Sequence, residues 1–294
     1  MITTQFIRLT CGIAITFCVA FAHAFAWENI TTDTVLYLHA GRGQNSGQGP
    51  AFFPVNILGM PDPRASDTTP TTDPRSVCSI GLGGTIVLGF TEHVIVDGPG
   101  ADFTVFENAF KYSSSRIYAE PAIVSVSSDG IMWKEFPFNA QTLDGCAGVT
   151  PTSGQDPFDA SQSGGDAFDL VDIGADSIRW IKIVDITDSV LLNTSHPYYD
   201  PTLTGFDLDA IVSAHGISAP ILPSLFVQPK STTVEAHVVS EIALFNVYDL
   251  QGRLLSTETL PPGIHTREMS GYVNACLLVS LFTQNTHYTA KVLQ

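Results

Sequence analysis

Three short acidic groups carry the chemistry that this sequence could perform: Asp97-Gly98-Pro99-Gly100-Ala101-Asp102, Phe106-Glu107-Asn108 and Gly205-Phe206-Asp207-Leu208-Asp209. Each couples carboxylates to the end of a turn or strand. Asp207 and Asp209 are two residues apart, so on a strand both side chains share one face and their charges repel. A hard cation, backbone donors or a raised pKa on one partner relieves such repulsion. Calcium, which takes oxygen ligands from separated chain segments, is the expected partner, with Asp102, Glu107, Asp207 and Asp209 as its ligands. The competing reading is that the same acids cap turns and accept from backbone amides. A polysaccharide hydrolase would instead use Glu107 and Asp209 as its carboxylate pair.

Other catalytic signatures are missing from the chain. Gly-x-Ser-x-Gly, His-Glu-x-x-His and a Walker loop do not occur, and the histidines lack metal-ligand spacing. Gly81-Leu82-Gly83-Gly84 runs into strand-like residues rather than a helix, which makes it a turn or bulge and not a phosphate cradle. Tyr198 and Tyr199, in a loop bounded by Pro197 and Pro201, offer aromatic faces to a sugar. Trp133 and Trp180 are expected in the core. The expectation is a non-catalytic binding protein.

The elements that must position these groups read as all-β. Short β-branched or aromatic runs alternate with Gly, Pro, Asp and Ser clusters, and helical periodicity is nearly absent. Strands are expected at Val35 to His39, Thr85 to Phe90, Phe103 to Glu107, Ile123 to Ser127, Met132 to Phe136, Ile178 to Asp185 and Leu208 to Ala214. Ser128-Asp129-Gly130 turns the fourth into the fifth. Two long irregular stretches, Gly41 to Ser79 and Gln141 to Gly165, need either disorder or a tether. Cys78 and Cys146 stand at the edges of these loops, and the expectation is that they form a disulfide.

At the N-terminus, residues 1–26 carry the single charge Arg8 before an apolar run ending in small residues, the pattern of a secretory leader. The chain has 29 acidic against 13 basic residues, a net charge of −16, which argues against nucleic acid as a partner. After residue 26 no apolar stretch is long enough to span a bilayer as a helix. Residues 27–218 then form a large domain, the proline-rich 219–229 a linker, and 230–294 a smaller sandwich whose Cys276 is unpaired.

Two resemblances add to this. VSVSSDGIMWKEF and IRWIKIVDI look like the paired strands of discoidin-like, galactose-binding jelly rolls. GQNSGQGPAFFPVNILGMPD, SIGLGGTIVLGFTEHVIVDGPGADFTVFENAF, CAGVTP, GGDAFDLVDIG and GFDLDAIVSAHG together resemble an uncharacterised family of exported bacterial cell-surface proteins. In the smaller unit, Val247 to Leu255, Gly263, Gly271-Tyr272 and Lys291-Val292-Leu293 resemble the C-terminal sorting domain of type IX secretion substrates. What these imply is a jelly-roll β-sandwich followed by an immunoglobulin-like one, secreted or held at the outer cell surface. The implied partners are an extracellular or envelope glycan, or a surface protein acting as an adhesin contact, with the type IX machinery engaging residues 230–294.

Overall fold

The computed structural model describes residues 27–219 apart from Gln44, and then 224–227, 233–238, 243–261, 263–269, 277–282 and 287–292. The leader, Cys276 and Gly271-Tyr272 lie outside the described residues.

In the first unit the strands are β1 (Glu28–Thr31), β2 (Thr34–His39), β3 (Cys78–Ser79), β4 (Thr85–Gly89), β5 (His93–Val96), β6 (Phe103–Glu107) and β7 (Phe110–Ser113). They continue as β8 (Arg116–Tyr118), β9 (Ala122–Ser127), β10 (Lys134–Glu135), β11 (Asp166–Phe168), β12 (Ser177–Ile178), β13 (Trp180–Asp185) and β14 (Asp207–Ser218). Among the described residues helical structure is limited to short turns such as α1 (Ala160–Ser163) and α2 (Thr187–Leu191). None of the described helices is long and apolar enough to cross a membrane.

One sheet runs β11-β6-β14-β5-β12, with β1 and β3 also on β14, and the other runs β10-β9-β13-β4-β2. Every pairing in them is antiparallel. A single apolar cluster joins the two, taking Leu88, Val124, Val126, Ile181 and Ile183 from one sheet and Ile95, Phe103, Val105, Leu208 and Ile211 from the other. That shared core defines the sandwich. The all-β class expected from alternation is the observed one.

The expected strand from Ile178 to Asp185 is divided at Arg179, where the chain passes from one sheet to the other. Thr85–Gly89 and His93–Val96 make the same passage, and the two segments pair with each other on both sides of the bend. At the corner the Arg179 guanidinium donates to the carbonyls of Phe90 and Thr91 at 3.0 and 2.8 Å, and Asp33 accepts from the Thr91 amide at 2.9 Å. These bonds satisfy backbone groups that neither sheet can reach.

The hairpin at Asp129-Gly130 forms as expected, with Gly130 at a φ of 75° and Asp129 Oδ1 accepting from the amides of Ile131 and Met132. Its return strand is shorter than expected, only Lys134–Glu135. Trp133 is a correction: it sits half-buried at the surface with Lys182 Nζ 4.6 Å from its ring centroid. Trp180 is buried, its indole lying where a Cβ on Gly89 would be 1.9 Å away.

The expected disulfide is overturned, because Cys78 and Cys146 are both free and buried. Cys78 belongs to the main core on β3, whereas Cys146 belongs to a separate cluster with Ala119, Leu143, Val190 and Leu203. Burial pushes both thiols up to about 12, so neither is reactive. The long loops are tethered by hydrogen bonds instead. Asn56 Nδ2 donates to the carbonyls of Gly47, Pro74 and Val77 at 2.7 to 3.1 Å, and Asp166 accepts from the amides of Val149 and Thr150.

The second unit holds β15 (Ser224–Val227), β16 (Thr233–Val238), β17 (Ala243–Asp249), β18 (Leu254–Leu260), β19 (Gly263–Glu268), β20 (Leu277–Phe282) and β21 (His287–Val292). They form sheets β15-β16-β19 and β18-β17-β20-β21, with Val234, Phe245, Val247, Val279 and Leu281 in a core of their own. The expected turn Leu250 to Arg253 joins β17 to β18, with Gly252 at a φ of 77°. Part of the stretch read as a linker, Ser224–Val227, is a strand of this sandwich.

Candidate functional site

The start of β14 gathers oxygen atoms from four parts of the chain. Ser79 of β3 is the register partner of Asp207, and on the other side Glu107 of β6 is the register partner of Leu208. An irregularity in the β6–β14 ladder follows, between Leu208 and Ala210. Glu107 Oε1 accepts from the Asp207 amide at 3.2 Å, and the Asn108 amide group donates to Asp207 Oδ2 at 3.4 Å. Glu120, just after β8, accepts from the amides of Thr204 and Gly205 on the approach to β14. Asp185 closes the region by accepting from the Phe206 amide at 2.9 Å.

These groups are deeply enclosed, with Ser79 at 0%, Glu107 and Glu120 at 3% and Asp207 at 7% relative exposure. Burial pushes the Glu107 carboxyl well above its usual range, and the neighbouring charges of Glu120 and Asp207 add to this. Burial and then the Asp207 charge push Glu120 up to about 8. Asp207 is raised by burial, opposed by hydrogen bonds from the side chains of Ser79 and Asn108. Even so, Glu107 Oε2, Asp207 Oδ1, Asn108 Oδ1 and Ser79 Oγ each lack a hydrogen-bond partner of good geometry. Buried polar atoms are paired in the great majority of cases, so four in one place mark a specialised centre.

Of the four expected metal ligands, the fold brings together Glu107 and Asp207. Asp209 lies elsewhere, both of its oxygens accepting from the Asp62 amide at 3.0 and 3.1 Å, and burial pushes it up to about 7. Asp102 is also separate. It accepts from the amides of Gly98 and Leu170 and pairs with His215 Nδ1 at 2.7 Å, and the His215 ring lies 4.6 Å from that of Trp27. Oxygens of Asp97, Asp102 and Asp169 come within 4.8 Å of one another, but the Asp102 carboxylate is already engaged on both oxygens. Asp102 and Asp209 thus each accept from backbone amides, Asp209 from one 147 residues away in sequence.

Sequence reasoning missed Glu120 and Ser79. Glu120 stands alone before Pro121, and Ser79 is one serine among many, so no spacing marks either. Tyr198 is half-buried against the cluster around Leu143 and Val190, and the Tyr199 carbonyl accepts from Arg116 at 3.1 Å.

Fold and site together define a class: an antiparallel β-sandwich with a sealed, oxygen-rich acidic centre at one end of its larger sheet. No family model matches the chain, and no curated protein does. Among solved structures it is similar to a β-glucuronidase from an uncultured Clostridium sp., at 10% identity and a TM-score of 0.22, covering 96% of this chain and 46% of that one. The Ruminococcus gnavus β-glucuronidase in complex with D-glucaro 1,5-lactone is similar at 10% identity and 0.21, covering 93% and 46%. The chain thus spans about half the length of these enzymes, and similarity at this level carries no argument about activity.

Proposed function

We propose that this chain is an exported, non-catalytic binding protein of the bacterial outer surface, whose first sandwich holds carbohydrate with calcium in a structural role. The second sandwich, residues 230–294, serves as the address read by type IX secretion. The observation that carries this reading is the enclosure of the carboxylates. Glu107 and Asp209, the pair a hydrolase would use, are 3% and 2% exposed, and each accepts from a backbone amide. A polysaccharide cleaved by paired carboxylates must lie between them, and these two face the protein interior. Such groups organise a scaffold on which loops can bind, and Tyr198 and Tyr199 are the aromatic contacts assigned to the sugar.

The test is retention of residues 27–294 on a panel of insoluble envelope and external polysaccharides, with reducing ends assayed in the same tubes. Retention without sugar release, weakened by Tyr198→Ala with Tyr199→Ala, is expected. Release of reducing ends that is abolished by Glu107→Gln would replace the binding reading with the hydrolase. Attachment to cells but to no glycan would replace it with a protein-binding adhesin.

A further inference from the structure

We infer that the start of β14 is a binding site for one hard divalent cation of calcium type, held by Glu107 Oε2, Asp207 Oδ1, Asn108 Oδ1 and Ser79 Oγ. This rests on the calcium part of the proposed function and gives it a different ligand set, without Asp102 and Asp209.

Geometry is the first support. The four oxygens come from β3, from the end of β6 and the residue after it, and from β14, and Asp207 touches Glu107 through its amide, Asn108 through its carboxylate and Ser79 across the β3–β14 register. Each is buried without a well-aligned hydrogen bond, with the Ser79 hydroxyl lying beside the Asp207 carboxylate. Two carboxylates, an amide oxygen and a hydroxyl form the donor set of a hard cation, and calcium tolerates the irregular arrangement that strand ends impose. Carbonyls and water complete its coordination in such sites.

Charge is the second support. Glu120 brings a third carboxylate to the same region, and among the described residues no ion pair engages Glu107, Glu120 or Asp207. Buried charges of one sign require either a counter-ion or neutralisation by protons. A cation satisfies the lone pairs and the charge together. Glu120, whose Oε1 accepts from the Thr204 and Gly205 amides, strengthens the field around the site.

The experiment uses residues 27–294 stripped with chelator, then titrated with calcium by calorimetry and melted with and without the ion. Expected are one calcium per chain and a melting temperature that rises with calcium concentration. Glu107→Gln and Asp207→Asn should each weaken binding by more than the roughly tenfold lost when an outer partner of a metal site is removed. In chelator Glu107→Gln should melt no lower than the parent, since glutamine keeps an oxygen to accept from the Asp207 amide, and this keeps the test valid if Asp207→Asn fails to fold. Asp169→Asn should bind as the parent does. Absence of calcium binding by the parent would overturn the inference, as would loss of binding in Asp169→Asn with retention in Glu107→Gln. Glycan retention run in parallel separates the two readings: calcium binding without glycan retention defeats only the carbohydrate assignment, and glycan retention without calcium binding defeats only the cation site.

Discussion

Asp166 illustrates how a single buried carboxylate can set the pH response. Its oxygens hold the Val149 and Thr150 amides, and burial pushes its pKa up to about 6. A group whose folded value lies above its unfolded one contributes stability that is complete below the unfolded pKa and lost as pH rises through the folded one. Raising pH from about 4.5 to 7 should therefore remove about 2 kcal/mol through this residue. Denaturant unfolding of the parent and Asp166→Asn at both pH values checks it, with the variant expected to show the shallower decline. Equal slopes would mean that Asp166 is not the titrating group. Asp62 behaves oppositely, since the guanidinium of Arg64 beside it holds its carboxyl well below the usual range.

Among the elements, the paired segments that cross between the sheets depend on one absent side chain. Gly89 of β4 faces Trp180 of β13 in register, and a Cβ there would meet the indole at 1.9 Å. Because Trp180 is almost fully buried, it has no room to retreat. Gly89→Ala should cost about 1–3 kcal/mol, the range for overpacking a filled core. Trp180→Leu combined with it should cost less than the two single changes added, because the smaller side chain relieves the clash. A strictly additive double mutant in a thermal or denaturant melt would show that the two residues do not press on each other.

Across the whole molecule, the apolar clusters divide along the chain. The main and satellite clusters draw on residues between Ile30 and Ile211, and the third draws on Val234 to Leu281. A unit with its own core unfolds as its own cooperative step. Residues 27–219 alone should therefore melt with a single transition, within a few degrees of the corresponding transition in the longer chain. A fragment that is unfolded, or that melts with no sharp transition, would show that the second sandwich contributes to the stability of the first.

What the sequence determined by itself is local. Alternation placed β6 at its observed bounds and β2, β4 and β9 within a residue, and Asp129-Gly130 and Gly252 marked turns whose left-handed backbone only glycine adopts easily. It also set Glu107 and Asp207 in one expected ligand group, together with Asp102 and Asp209, because acidic residues at strand ends stand out against an apolar pattern. Short elements such as β3 and β11 were not legible, since two or three residues carry no period. Tertiary structure alone decided which oxygens meet. Glu107 reaches Asp207 across 100 residues, and Glu120 reaches Gly205 across 85, through strand register and loop closure that local propensity does not encode. The same reason separates Asp209 from Asp207 despite their adjacency in sequence, and it leaves Cys78 and Cys146 in different cores, because burial of the whole sandwich sets where each strand end stops.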